Sequence, residues 1–131
     1  MENQLQIVSF NQAERLEKLG FNWETNQFYN KKGELKDSVW LNHNHFMFRD
    51  NYSAPTVALA LKWFRDVKGI TGFCDNNYHG WFFEYYSIGC DYIKYDSRDL
   101  FLYFDTYEYA ELALLDELLN LLENKKDEQS D

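Results

Sequence analysis

The sequence predicts an α+β fold: an antiparallel sheet of three to five strands with three helices, in the order α-β-β-α-β-β-β-α. Three observations point to it. Three segments repeat apolar residues at helical spacing behind recognisable start signals. Shorter segments rich in aromatic residues lie between them. The links between those short segments are only a few residues long, which suits antiparallel neighbours and not parallel ones.

The first helix has the clearest start. Ser9 is placed to cap it, Gln12 completes a capping box, and Val8 can staple onto Ala13. Phe10, Ala13, Leu16 and Leu19 make one apolar stripe, and Gly20 supplies the residue that ends the helix. A hairpin follows, with Gln27-Phe28-Tyr29 and Glu34-Leu35-Lys36 flanking Asn30-Lys31-Lys32-Gly33. Residues 37–52 fit short strands or anchored loop equally well. The second helix is expected to start at Pro55, whose missing N–H costs nothing in a first turn, and to stop at Gly69. Its apolar residues cover most of its circumference, which suits a central position. Strands are then expected at 70–74, 81–88, 92–95 and 100–104, the first being the weakest, with Asp75-Asn76-Asn77, Gly89 and Asp96–Asp99 as turns. The third helix begins after Asp105-Thr106. Its leucines from Leu112 to Leu122 form a broad apolar surface, and Glu108 and Glu111 favour its positive end.

With 131 residues, 19% aromatic and 45% apolar, the chain can bury a core without disulfides. One domain is expected over residues 1–124, followed by a polar tail at 125–131. No apolar run reaches membrane-spanning length, and Met1-Glu2-Asn3-Gln4 does not resemble a secretory signal. A cytoplasmic location with Cys74 and Cys90 reduced is the expectation. The net charge of −9 is unevenly placed: residues 1–74 carry nine Lys/Arg against eight Asp/Glu, and residues 75–131 four against fourteen. Such a surface repels phosphates and attracts basic partners, although solubility alone would also account for it.

His43-Asn44-His45 spells a nuclease motif, but in that family the residues are spread over a ββα metal site rather than adjacent. His43, His45, His79, Cys74 and Cys90 lack the paired spacings of structural zinc sites. Neither cysteine has the neighbouring cations that favour thiolate, so both read as buried and structural. No glycine-rich loop cradles phosphate. No catalytic residue, metal or cofactor is therefore expected, and the protein reads as not an enzyme.

Surface chemistry is the informative remainder. Fourteen aromatics fall between Phe73 and Tyr109. Alternation puts Trp81, Phe83 and Tyr85 on one strand face and Phe82, Glu84 and Tyr86 on the other. Such a sheet is either covered on both faces or offers one to a partner. The candidate partner-binding residues are Tyr86, Tyr92, Tyr103 and Tyr109 as anchors, with Asp116, Glu117 and Glu123 steering a basic surface. Direct nucleic-acid binding is not expected, since the aromatic region lacks a basic groove.

Three segments carry a resemblance: Val8-Ser9-Phe10 through Gly20-Phe21-Asn22-Trp23, Ala54-Pro55-Thr56-Val57 through Lys68-Gly69-Ile70, and Phe104-Asp105-Thr106-Tyr107-Glu108 through Leu118-Leu119. They resemble a family of small proteins encoded in prophages and mobile elements of Bacteroidota-type genomes. That family brings no catalytic residues to transfer. The resemblance implies an anti-CRISPR-like inhibitor of a host defence effector, a basic RNA-guided, RNA-targeting type VI nuclease being one target. The alternative is a self-associating structural or accessory phage protein that uses the leucine surface of residues 112–122 as a homomeric interface.

Overall fold

The computed structural model describes residues 5–45, 47–48, 50–87 and 93–129, with side chains to residue 124. Its elements are α1 (Phe10–Lys18), β1 (Thr25–Tyr29), β2 (Leu35–Leu41), β3 (Tyr52–Ser53), α2 (Val57–Lys68), β4 (Ile70–Asn77), β5 (Gly80–Ser87), β6 (Lys94–Asp96) and α3 (Tyr107–Gln129), with a 3-10 turn at Ser97–Leu100. The class is α+β with three helices and antiparallel strands, as the sequence indicates. The strands, however, form two sheets of three, ordered β2-β1-β3 and β4-β5-β6. Each hairpin finds its third strand locally: β3 pairs with β1, and β6 pairs with β5. By contact density the chain divides into two compact units, Met1–Ala58 with Leu119–Asp131, and Leu59–Leu118.

In the first unit, local signals become hydrogen bonds. The Ser9 hydroxyl accepts from the Gln12 amide at 3.1 Å, and the Gln12 side chain accepts from the Ser9 amide at 3.0 Å. At the other end of α1, the Phe21 amide donates to Leu16 and the Gly20 amide to Glu17, both at 3.0 Å. That pairing satisfies the last carbonyls and turns buried Phe21 back onto the helix. The β1–β2 turn is held by the Asn30 carboxamide, which accepts from the amides of Lys32 and Glu34. The β1–β2 register slips between Thr25 and Gln27, so the ladder is irregular opposite Ser38-Val39-Trp40. Val39 and Trp40 stand exposed there.

Three expectations change here. Helix α2 starts at Val57, because Pro55 and Thr56 belong to an extended pairing: the Pro55 carbonyl accepts from Val8, and Thr56 bridges Ile7. The helix also has a clear wet side, with Val57, Ala60, Trp63 and Phe64 buried while Lys62, Arg65, Asp66 and Val67 are exposed. Asp75-Asn76-Asn77 lie in β4 rather than in a turn, since the ladder runs unbroken from Ile70↔Ser87 to Asn77↔Gly80. The two-residue loop is Tyr78-His79. Finally, residues 100–104 are not a strand. The Asp96 carboxylate accepts from the Arg98 amide and starts a 3-10 turn, and only the bridge between Trp81 and Phe104 keeps β character.

The histidine triplet is structural at two of its positions. His43 is buried, stacked on Phe28, with Nε2 3.1 Å from the Thr25 carbonyl. A carbonyl only accepts, so Nε2 carries the proton. Asn44 braces the loop by donating to the Phe21 carbonyl and accepting from the Ser53 amide, each at 2.8 Å.

Candidate functional site

The second unit decides what happens to the aromatic sheet. Residues paired across an antiparallel ladder share a face. Trp81, Phe83 and Tyr85 therefore lie with Asn76, Cys74 and Gly72 of β4 and with Tyr95 of β6. The first turns of α3 cover this face. At Gly72 a Cβ would stand 2.9 Å from a Leu114 methyl, so the missing side chain is what lets helix and strand close. The Trp81 and Tyr107 rings meet edge to face with centroids 5.4 Å apart. Tyr85 and Tyr95 stack at 5.1 Å, and Phe83 stacks on Tyr95 at 5.6 Å.

The hydroxyls of Tyr107 and Tyr85 and the Cys74 thiol are held in their neutral forms at this face. The Tyr107 hydroxyl donates to the buried Glu111 carboxylate at 2.8 Å. Burial, then this bond, raises the Tyr107 pKa above its ordinary value. Burial pushes the Tyr85 hydroxyl up to about 12, with Glu117 and Tyr95 adding to it. The Cys74 thiol is likewise pushed up to about 12 by burial, and the Glu111 charge adds to it. Cys74 is thus a thiol at neutral pH, a packing group and not a nucleophile.

The opposite face carries Phe82, Glu84 and Tyr86 of β5, Thr71, Phe73 and Asp75 of β4, and Lys94 and Asp96 of β6. It is open: Phe73, Asp75 and Lys94 are exposed, and Tyr86 and Glu84 are half-buried. Phe82 is buried. The Arg98 guanidinium lies 4.0 Å over its ring while donating to Asp96 at 2.7 Å and standing 3.6 Å from Glu84. The Arg98 bonds hold the Asp96 carboxyl below its ordinary range. Desolvation, reinforced by Asp96, raises that of Glu84. Of the two, Glu84 takes up a proton first.

One end of this face is apolar. The Trp81 and Phe104 backbones exchange hydrogen bonds at 2.9 and 2.8 Å, placing Tyr103 and Phe104 beside Gly80 and Trp81. Gly80, with φ +133°, has the Phe104 carbonyl 3.0 Å from where a Cβ would sit, so this approach needs glycine. Tyr103 packs on His79 at 5.4 Å and on Phe82 at 6.5 Å. Tyr78, Leu100, Phe101 and Leu102 point into solvent.

The residues singled out from the sequence separate into different places. Tyr86 and Tyr103 border the open face. Tyr109 and Asp116 are exposed on α3, one heptad apart, away from the covered sheet face. Glu117 stands at the margin of the covered face beside Tyr85 and Tyr95. Glu123 belongs to the first unit, where Arg15 clasps it at 2.7 Å. Tyr92 lies outside the described residues, as does Cys90. Sequence reasoning missed Tyr78, Leu100 and Phe101. The break in alternation at Asn77-Tyr78-His79-Gly80 was a signal for the turn; the left-handed backbone at Phe101 left none.

Among the described residues, no group of three His, Cys, Asp or Glu side chains is arranged to hold a metal, and no helix is long and apolar enough to cross a membrane. The fold and this surface together define an α+β protein with two three-stranded antiparallel sheets, one of which keeps a face with Phe73, Tyr86 and Glu84 partly exposed. No protein-family model, curated protein or solved structure matches the chain.

Proposed function

We propose that this chain is a non-enzymatic, acidic, protein-binding inhibitor that docks on the basic surface of a host defence effector. One observation carries the reading: in Leu59–Leu118 the sheet is covered on one face by α3, while the other face keeps aromatic groups among carboxylates. Rigid aromatic side chains supply contact area at low entropic cost, and surrounding charge sets the sign of the partner. The charge distribution supports the same sign, with residues 75–131 carrying fourteen acidic against four basic residues. The resemblance to prophage-encoded proteins supports an RNA-guided type VI nuclease as the effector to test first.

The test uses a purified type VI effector with its guide RNA, measuring association and target-RNA cleavage at low and high salt. Association that weakens with salt, together with loss of cleavage, is expected. Replacing Asp99, Asp105 and Asp116 by asparagine should weaken association roughly ten-fold at low salt and much less at high salt. Unimpaired cleavage with the chain in excess would sink this target. Binding indifferent to both salt and the substitutions would sink the electrostatic reading itself.

A further inference from the structure

The 3-10 turn Ser97–Leu100 ends on Phe101, whose backbone is left-handed at φ 58° and ψ 31°. Glycine or asparagine ordinarily takes such a position, because Cβ there crowds the neighbouring carbonyl. A phenylalanine pays that strain and is also 87% exposed. Leu100 and Leu102 beside it are 60% and 43% exposed. Core packing therefore does not account for this side chain.

The segment is nonetheless firmly placed. The buried Ser97 hydroxyl accepts from the Phe83 amide and donates to the Leu102 carbonyl, both at 3.1 Å. The Leu102 amide returns to the Ser97 carbonyl at 3.0 Å, and the Phe101 amide to Arg98 at 2.9 Å. A fixed, exposed apolar projection marks a contact surface, since folding gains nothing from presenting it.

Its surroundings say what it contacts. Asp99 and Asp105, within four residues of Phe101 in the chain, are exposed, and residues 99–118 contain no lysine or arginine. Arg98 is committed to Asp96 and Glu84. A second copy would bring the same acidic rim against this one, and a nucleic acid would bring phosphates; both are disfavoured by like charge. The complement is an apolar slot edged by cations.

We infer that Leu100-Phe101-Leu102 is a preformed wedge that inserts into an apolar slot ringed by Lys and Arg on a protein partner. The inference rests on the proposed acidic, protein-binding function and adds the element that seats. The probe is a display library of random peptides panned on the immobilised full chain, with selected peptides titrated against Phe101→Gly and against the double variant Asp99→Asn, Asp105→Asn. Selected peptides are expected to combine apolar and Lys/Arg residues. Phe101→Gly should weaken them by at least about ten-fold. The same substitution should raise the melting temperature by a few degrees, because glycine relieves the strain; a merely structural residue would lower it. The double acidic variant should lose affinity chiefly at low salt.

Retained affinity in Phe101→Gly with loss in the acidic variant overturns the wedge and leaves the proposed function standing. Selected peptides without cationic residues, or no selected peptide, overturn both. Sedimentation showing a dimer that Phe101→Gly dissolves overturns the wedge in favour of a second copy.

Discussion

Glu84 and Asp96 sit side by side on the open sheet face, and Arg98 neutralises them unequally. Asp96 receives the closer contacts and stays ionised, whereas Glu84 meets desolvation and the Asp96 charge. A carboxyl whose folded pKa is raised stabilises the fold fully only below its unfolded value, and that contribution disappears as pH climbs through the folded value. Ionised Glu84 is thus a cost at neutral pH. Asp96 runs the other way, its contribution present above the unfolded value and lost as pH falls. Glu84→Gln is expected to raise the thermal midpoint at neutral pH and to leave it nearly unchanged in acid, where the native residue is already protonated. Calorimetry across that range checks it; a lower midpoint at neutral pH would mean that attraction to Arg98 outweighs the desolvation.

At the scale of elements, β4 and α3 meet where glycine faces leucine. The Leu114 side chain is fully buried and lies closer to Gly72 than any Cβ tolerates. Gly72→Ala should therefore destabilise the protein by about 1–3 kcal/mol through overpacking. The penalty should shrink when Leu114 is also cut to alanine, as a double-mutant cycle by urea denaturation would reveal. Strictly additive effects would count against this contact. The same helix removes one candidate interface: Leu114, Leu115, Leu118 and Leu119 are wholly buried within the chain, so they are not a free surface for self-association.

At the scale of the whole molecule, charge governs solution behaviour. The net charge of −9 keeps copies apart at neutral pH, while exposed Phe101, Tyr78, Trp40 and Val39 remain available to associate once repulsion fades. Solubility should pass through its minimum near pH 4.7, the isoelectric point, and recover on either side. Turbidity against pH is the measurement, and a minimum well away from that value would show that local patches rather than net charge control association.

Sequence by itself determined the features whose causes are local. The capping box at Ser9 and Gln12, the stop at Gly20, the start of α3 after Thr106 and the strand through Trp81 each depend on neighbours a few residues away. Charge asymmetry was equally plain, because it is a sum over residues. Tertiary structure decided the rest. Which face of β5 is covered depends on α3 meeting Gly72, roughly 40 positions before the leucine that fills its space. Glu123 looked like an exposed carboxylate until Arg15, more than a hundred residues distant, bound it. Phe101 read as part of a strand, since aromatic residues favour strands; a buried Ser97 hydroxyl and a left-handed backbone turned it outward instead. Local preference is written in adjacent side chains, whereas coverage, pairing and strain arise only where distant segments meet.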